Sequence, residues 1–558
     1  MKVLLYVGYQ KSRFDKLTYL DSGIGGSEYA VIKLADEFSK NGHEVYVSGE
    51  VYTEFIDGVN YVNLEDLEKN QHFDVVIATN YIHYLLFLDS INVTFDKSYF
   101  WMHNTEFYPY YMGETLVNGG EDLLLDHRLT KIVCVSEYHS NIIKSKYPQV
   151  SGKVTFVENA IDPSDFEGIS VERVPNRFIY TSAPDRGLLN LLNIWPNIKE
   201  MKPNASLYVA TPPYALDWYD DYKGTYEDVH FIGSLSPSEL YTNIKSSEYW
   251  VYPSQYDETF CITALEMMVG GVKIVSTDTG NLKYLLENRA GVVDSSLPIG
   301  VVTQSIIDTL NFLDERNDVQ QEYLDSAYSY AINQNWSNRY NDWMSLIDST
   351  GILHPDLYSY YQDPESWKRR FITYSARTKE WDLIVDEPFI NTFSFPLFTP
   401  EFCKMIREEA EHSNSWTVDR HEFYPTTDMI LQTIGLHEIY MEILREFVMP
   451  VSVYMWALDG DGWGNLDSEN FLARYTPDAQ GHLSIHHDSS DITCLVQLSD
   501  LDEYEGGGTW FRRQKKLLKN GIGYVTIHPG NITHKHGARA VTEGSRYIIV
   551  SFMKNPKR

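Results

Sequence analysis

The sequence predicts a multidomain chain, in which two successive α/β units with parallel sheets precede a smaller strand-rich module. Three observations carry this. The first 350 residues alternate apolar runs of strand length with stretches of helical periodicity, a glycine loop opens the first helix, and the pattern changes beyond residue 385 to short strands separated by glycine turns. At 558 residues the chain has room for three or four domains, each with its own core.

The elements follow in order. Lys2 to Tyr9 is an apolar first strand, Gly23-Ile-Gly-Gly-Ser27 a glycine loop, Glu28 to Lys40 a helix that stops at Gly42, and Glu44 to Val47 the next strand. Asp74 to Ala78 and Lys131 to Val135 extend the same parallel sheet. A second series runs through Phe178 to Thr181, Ser206 to Ala210, Val229 to Ile232, Tyr249 to Tyr252 and Lys273 to Ser276. Two Rossmann-like domains, 1–170 and 171–350, are expected to face each other across a cleft, with ligands at the carboxyl ends of the strands. The Tyr-, Trp- and charge-rich stretch 351–384 reads as a helical connector packed between modules, and 385–558 as the last domain. No internal repeat or low-complexity tract interrupts this series.

Composition excludes some partners. Against 46 basic residues stand 78 acidic ones, a net charge of -32, which argues against nucleic acids and anionic membranes. Such a surface can attract lysine-rich peptides, although solvated charge explains it more simply. No apolar run approaches the roughly 20 residues that span a bilayer. The opening Met1-Lys-Val-Leu-Leu-Tyr-Val-Gly8 is too short for a secretory signal and reads as a buried strand. Cys134, Cys261, Cys403 and Cys494 are scattered without metal-like spacing, so no disulfide framework is expected.

The densest chemistry lies near the C-terminus. Gly481-His-Leu-Ser-Ile-His-His-Asp488 alternates like a strand, which would put His486 and Asp488 on one face. His536, from a later strand, completes a two-His, one-carboxylate facial triad that leaves positions open on Fe(II) for a cosubstrate and oxygen. Ten residues on, Arg546 opens the run Tyr547 to Phe552 and suits a bidentate grip on the distal carboxylate of 2-oxoglutarate. A lone His-x-Asp is usually a chance match, but four matching roles are not. His482, His487 and His534 lack a partner at useful spacing and read as structural.

Arg420-His-Glu-Phe-Tyr-Pro-Thr-Thr-Asp428, Tyr475-Thr-Pro477, His486-His-Asp-Ser-Ser490, Tyr504-Glu-Gly-Gly-Gly-Thr-Trp-Phe511, His528-Pro-Gly530 and Gly544-Ser-Arg-Tyr547 occur in the order seen in procollagen lysyl hydroxylases. Residues 385 to 556 thus resemble that catalytic domain. The resemblance implies a double-stranded β-helix (jelly-roll) binding Fe(II) and 2-oxoglutarate, with ascorbate keeping the iron reduced, a collagen-like lysine as substrate and a homodimer. Tyr475 would assist the cosubstrate, although a core role suits it as well, and Asp428 would meet the substrate amine. Animal relatives work in the secretory pathway behind a cleaved signal; the expectation here is a microbial or viral protein acting in cytoplasm.

A second resemblance covers residues 1 to 345. Glu258 and Glu266, within Tyr256-Asp-Glu-Thr-Phe-Cys-Ile-Thr-Ala-Leu-Glu266, are followed by Gly270-Gly-Val-Lys-Ile-Val-Ser276 and Gly280. With Pro184-Asp-Arg-Gly-Leu188 and Gly25-Gly-Ser-Glu28, they resemble the donor site of retaining glycosyltransferases of the two-domain GT-B fold. Glu258, ahead of a helix, can accept hydrogen bonds from sugar hydroxyls, and Glu266, two helical turns on, can hold the nucleotide ribose. Arg186 and the helix-start amides can stabilise the diphosphate leaving group. Gly25 and Gly26 let backbone approach the donor from the opposite domain. His103, in Trp101-Met-His-Asn104, stands where relatives carry an acceptor-side histidine, although a structural role fits as well. Two departures stand out: residues 187–198 lack the lysine that often follows the arginine, and Val272 replaces a usual proline. Asp459-Gly-Asp461 reads as a solvated turn rather than a manganese site.

The pairing implies hydroxylation of lysine by one module and sugar transfer to a hydroxyl by the other. A retaining enzyme acting on UDP-glucose gives an α product, which fits glucose addition to galactosyl-hydroxylysine. Two alternatives stay open: a polysaccharide or glycoprotein glycosyltransferase beside an oxygenase for another protein, and a silent sugar-binding module that positions substrate.

Overall fold

The computed structural model describes residues 1–9, 13–212, 215–216, 222, 224–418, 424–458 and 466–555. The Asp459-Gly-Asp461 turn and positions 420–423 of the Arg420 motif lie outside them. Two compact units emerge: Met1–Leu123 with Lys131–Ile143 and Val154–Asp348, and Leu124–Thr130 with Lys144–Lys153 and Ser349–Arg558.

The first unit holds two sheets. One has eight strands, in the order Val154–Phe156, Leu129–Cys134, Thr94–Met102, His72–Thr79, Lys2–Gly8, Glu44–Gly49, Val59–Asn63 and Glu54–Ile56. Lys2–Gly8 pairs in parallel on both sides, and its apolar run is buried for that reason. The expected helix runs Gly26–Lys40, with eight buried residues along its sheet-facing side. The other sheet is parallel throughout, in the order Val229–Gly233, Ser206–Ala210, Arg177–Tyr180, Tyr249–Tyr252, Lys273–Thr277 and Gly291–Val293. Every strand read from the sequence in this unit is present, with ends shifted by two residues at most. The helix Trp336–Asp348, which follows the second series, packs on elements of the first: Trp343 meets Trp101 at 5.4 Å and Tyr99 at 5.9 Å, and Trp336 meets Tyr29 at 6.0 Å. Those buried aromatic edges tie the two sheets into one core.

The second unit is built on an antiparallel sheet of seven strands, in the order Asp386–Phe389, Thr392–Pro396, Tyr524–Pro529, Ile492–Gln497, Arg546–Lys554, Asp467–Tyr475 and Thr427–Ile430. Ile492–Gln497 is central and wholly buried. Helix Pro400–Ser413, capped by Thr399 and ended by left-handed Asn414, contributes Phe402 and Ile406 to this unit's core. Shorter strands Thr509–Phe511, Lys516–Leu518 and His536–Ala538 form a second sheet, and Tyr504–Gly506 pairs with Val541–Gly544. The run Gly506-Gly507-Gly508 takes φ values of 74°, 61° and 95°, so it is the tight turn that its composition suggests, in a region that a Cβ disfavours.

Residues 351–384, read from the sequence as a connector between modules, form short helices that belong to the second unit. Trp367 and Phe371 pack against Phe402, and Trp367 Nε1 donates to Leu357 O at 3.0 Å.

One expectation is corrected. Gly481 to Asp488 is not a strand; only His486 forms a bridge, with His536. The segment lies close over the backbone of Gly537, where a Cβ would meet Leu483 O at 2.6 Å. Leu483 N donates to Ala538 O at 3.0 Å and His486 exchanges both backbone hydrogen bonds with His536, so three residues on one side span two on the other, and this bulged register breaks the ladder.

Candidate functional site

His486, Asp488 and His536 come together with one ligand atom each inside a 4.8 Å group. His486 Nε2 lies 3.3 Å from Asp488 Oδ1, and His536 Nε2 lies 3.7 Å from Asp488 Oδ2. His486 Nδ1 faces the carbonyl of Ser484 at 2.8 Å, and His536 Nδ1 that of His534 at 3.0 Å. A carbonyl can only accept, so each Nδ1 carries a proton and donates it. In the neutral rings this leaves both Nε2 lone pairs aimed at the shared space, the tautomer that a metal ligand needs. Asp488 Oδ1 is buried without a hydrogen-bond partner, which is costly unless a cation sits against it. Burial pushes the Asp488 carboxyl up, but without a metal the facing histidines, in their protonated form, and the Thr493 hydroxyl outweigh it and hold it well below the usual carboxylate range. Burial holds the His536 imidazole below its ordinary value. The donor set fits a divalent iron.

Arg546 opens strand Arg546–Lys554 and is buried. Its Nε donates to Gln497 Oε1 and its Nη2 to Thr509 Oγ1, both at 3.3 Å, while Nη1 is buried without a partner. No carboxylate of the chain forms an ion pair with it among the described residues, so a buried cation is held by neutral groups and has a donor to spare. Such an arrangement suits an external carboxylate. Gly507 leaves the room: a Cβ there would stand 3.3 Å from Arg546 Cδ. Tyr475 is buried, with the Arg546 guanidinium 5.8 Å from its ring centre, and burial pushes its hydroxyl up to about 12. Asp428 is fully buried and accepts from Thr426 Oγ1, so its carboxylate is already engaged inside the fold. His534 Nε2 donates to the carbonyl of Ile390 and its ring stacks on His528, consistent with a structural part.

Sequence reasoning passed over several neighbours. Tyr424 packs 5.0 Å from His486, the His528 ring lies 4.8 Å from that of His536, and Thr493 Oγ1 donates to Asp488 Oδ2 at 2.5 Å. The His528-Pro-Gly530 motif and the Tyr424 of the Arg420 motif hinted at two of them, and nothing in the sequence singled out Thr493.

In the first unit, Glu258 follows strand Tyr249–Tyr252 and precedes helix Ile262–Val269. Glu258 and Glu266 are therefore separated by an irregular loop and about one helical turn rather than the two turns expected. The loop ends at Cys261 with φ 80°, a strained conformation for a residue with a side chain. Tyr252 Oη donates to Glu258 Oε1 at 2.7 Å. Burial raises both carboxyls, that of Glu266 to about 7. The Arg186 guanidinium sits over the Tyr256 ring at 3.2 Å, and its Nη1 is buried without a partner. Gly187, with φ 109°, brings this turn against Pro253, and Gly280, with φ 62°, brings another loop against the Glu258 backbone.

The glycine loop meets these elements from the first sheet's side. Gly25 caps helix Gly26–Lys40, and a Cβ on Gly26 would stand 3.6 Å from Ile262 Cδ1 at the start of the Glu266 helix. His103 joins from the end of strand Thr94–Met102: its carbonyl accepts from Thr259 Oγ1 at 2.7 Å, next to Glu258. Its Nε2 is buried without a partner, and burial with neighbouring His139 lowers the imidazole to about 3, so it is neutral at ordinary pH.

Residues 176–304 match the family described as glycosyl transferases, group 1. Part of the chain is homologous to procollagen lysine hydroxylases. The multifunctional procollagen lysine hydroxylase and glycosyltransferase LH3 of Rattus norvegicus is 34% identical over 216 residues, 37% of this chain. Procollagen-lysine,2-oxoglutarate 5-dioxygenase 1 of Homo sapiens is 31% identical over 217 residues, again 37% of this chain. The chain spans 29% of the length of these curated relatives. Among solved structures, Anabaena Alr3699/HepE in complex with UDP is 13% identical with a TM-score of 0.45, covering 62% of this chain and 100% of that one. Sucrose-phosphate synthase from Thermosynechococcus elongatus is 12% identical with a TM-score of 0.47, covering 62% and 98%. No helix among the described residues is long and apolar enough to cross a membrane.

Proposed function

We propose that the chain modifies collagen-type lysines twice, as an Fe(II)- and 2-oxoglutarate-dependent lysyl hydroxylase and as a retaining glycosyltransferase that moves glucose from UDP-glucose to galactosyl-hydroxylysine. The observation that carries the reading is the convergence of His486, Asp488 and His536, with both imidazole tautomers fixed and Asp488 Oδ1 left without a partner. The homology to procollagen lysine hydroxylases supports lysine as the substrate. The group 1 glycosyltransferase match supports sugar transfer by the first unit. We read the seven-stranded sheet and the short sheet carrying His536 as the two halves of a jelly-roll.

In the hydroxylase, His486, Asp488 and His536 would hold the iron, and Arg546 would fix 2-oxoglutarate through its far carboxylate. Metal and cosubstrate, when bound, would supply oxygen activation with succinate and CO2 as coproducts, and ascorbate would keep the ion reduced. The chain's own part is orientation: carbonyls of Ser484 and His534 lock the imidazoles, and Gln497 and Thr509 lock the guanidinium. In the transferase, Glu258 accepts from donor-sugar hydroxyls and Glu266 from the ribose, while Arg186 offers its spare Nη1 to the diphosphate as charge develops there. His103, neutral and anchored through Thr259, borders the reacting carbon on the acceptor side.

Mass spectrometry tests both halves. A collagen-like lysine peptide with Fe(II), 2-oxoglutarate and ascorbate should gain one oxygen, and a galactosyl-hydroxylysine peptide with UDP-glucose should gain one hexose. The first gain should vanish in His536→Ala and the second in Glu258→Ala. Hexose transfer to simple sugars alone would favour a polysaccharide role, and UDP-sugar binding without turnover would favour a silent module.

A further inference from the structure

Asp488 does not sit on a strand. It lies in the irregular segment between His486 and strand Ile492–Gln497, where backbone pairing cannot hold a ligand carboxylate in place. What holds it is a pair of hydroxyls. Thr493 Oγ1 lies 2.5 Å from Asp488 Oδ2 and 2.9 Å from Ser490 Oγ. An ionised carboxylate only accepts, so the single Thr493 proton goes to Asp488, and Thr493 must in turn accept from Ser490. Direction is thus fixed along the chain Ser490 to Thr493 to Asp488.

Both hydroxyls are anchored. Thr493 is fully buried in the central strand, paired with His528 on one side and Phe552 on the other. Ser490 is buried beneath Gly530, where a Cβ would fall 2.1 Å from Ser490 Oγ and 2.5 Å from its carbonyl, so only glycine fits. Oδ2 is engaged by the rigid sheet, while Oδ1, 3.3 Å from His486 Nε2, keeps no hydrogen bond.

We propose that Ser490 and Thr493 are positioning residues that fix the torsion of the Asp488 carboxylate and reserve Oδ1 for the metal. This rests on the metal reading given above. Loss of such an outer contact costs about 10- to 100-fold in metal affinity.

Co(II) titration of the full chain, followed by calorimetry and by the visible absorption of the bound ion, tests this. Thr493→Val keeps the branched shape that suits the strand and removes only the hydroxyl. It should weaken Co(II) binding by roughly 10- to 100-fold and shift the visible bands. Thr493→Ser should restore both, and Ser490→Ala should weaken binding less than Thr493→Val. Wild-type affinity and spectrum in Thr493→Val, or a serine variant as weak as the valine one, overturns the proposal. Should the valine variant lose its apo unfolding transition, the other two decide: Ser490→Ala must bind more weakly than wild type while Thr493→Ser matches it. If wild type and His536→Ala bind Co(II) alike, the metal reading itself fails and the hydroxyl pair falls with it.

Discussion

Arg546→Lys separates charge from geometry at the cosubstrate socket. The wild-type guanidinium commits Nε to Gln497 and Nη2 to Thr509 and keeps Nη1 spare. Lysine preserves the positive charge but offers a point donor in place of a planar fork. A carboxylate held by the fork loses one charge-assisted hydrogen bond, worth about 1.5–3 kcal/mol. At about 1.4 kcal/mol per tenfold, the 2-oxoglutarate dissociation constant should rise roughly 10- to 150-fold. Gln497 Oε1 also loses its donor, although its amide still donates to Ser499 O at 2.9 Å and to Tyr504 Oη at 3.2 Å. One unpaired buried acceptor costs about 1–3 kcal/mol, so a lowered unfolding temperature should accompany the affinity loss. Calorimetric titration of 2-oxoglutarate into the Co(II)-loaded protein gives the first number, and thermal unfolding without ligands the second. A variant that binds 2-oxoglutarate within about twofold of wild type while retaining Co(II) would refute the assignment of Arg546 to the cosubstrate, because it falls far short of the loss of one such bond.

Gly280→Ala should impair the transferase alone. Its Cβ would fall 2.5 Å from both the backbone N and O of Glu258, at a φ of 62°, so the loop must shift, and a displacement of about 1 Å at a reacting group costs on the order of 100-fold. UDP-sugar turnover measured beside lysine hydroxylation checks this, and equal losses in both would point to general misfolding. The chain should also lose stability in mild acid. Burial lowers His83 and His139 to about 4, and burial with His139 lowers His103 to about 3. Unfolded histidine titrates near about 6.5, so between that value and the folded ones the unfolded state takes up protons that the folded state refuses. The contribution of these rings is therefore intact above about 6.5 and falls below it, by up to about 1.4 kcal/mol per histidine for each pH unit. Glu266, raised by burial to about 7, works in the opposite sense and offsets one of the three. Thermal unfolding between about pH 7.5 and 5 should show the first unit melting progressively earlier; a flat profile would contradict the burial of these rings.

Much of this protein is legible in the order of its amino acids. Parallel-sheet strands are buried on both faces, so Lys2–Gly8, Ser206–Ala210 and Tyr249–Tyr252 are written as largely apolar runs and could be read directly. Glycines forced into positive φ, at 187, 280 and 506–508, are equally legible, because no other residue takes that backbone cheaply. The grouping of His486, Asp488 and His536 was legible because four roles recur together, two histidines, a carboxylate and Arg546, where His-x-Asp alone would match by chance. How they meet was not. The strand inferred for Gly481 to Asp488 rested on alternation, yet Leu483 bonds to Ala538 and His486 to His536, an extra residue on one side that breaks the ladder and that alternation cannot reveal.

Other parts of the site emerge only when the chain is folded. Thr493, Gln497 and Thr509 look like ordinary strand residues in the sequence, and their hydroxyls and amide acquire a role because folding brings them beside Asp488 and Arg546. The same holds for Tyr252, six residues before the Glu258 that it steadies. Local periodicity records which face of an element is buried, because burial recurs at every turn or pleat. It does not record which buried polar atom meets which, since most such pairs join segments distant in the chain, and a single hydrogen bond leaves no repeating trace along either of them.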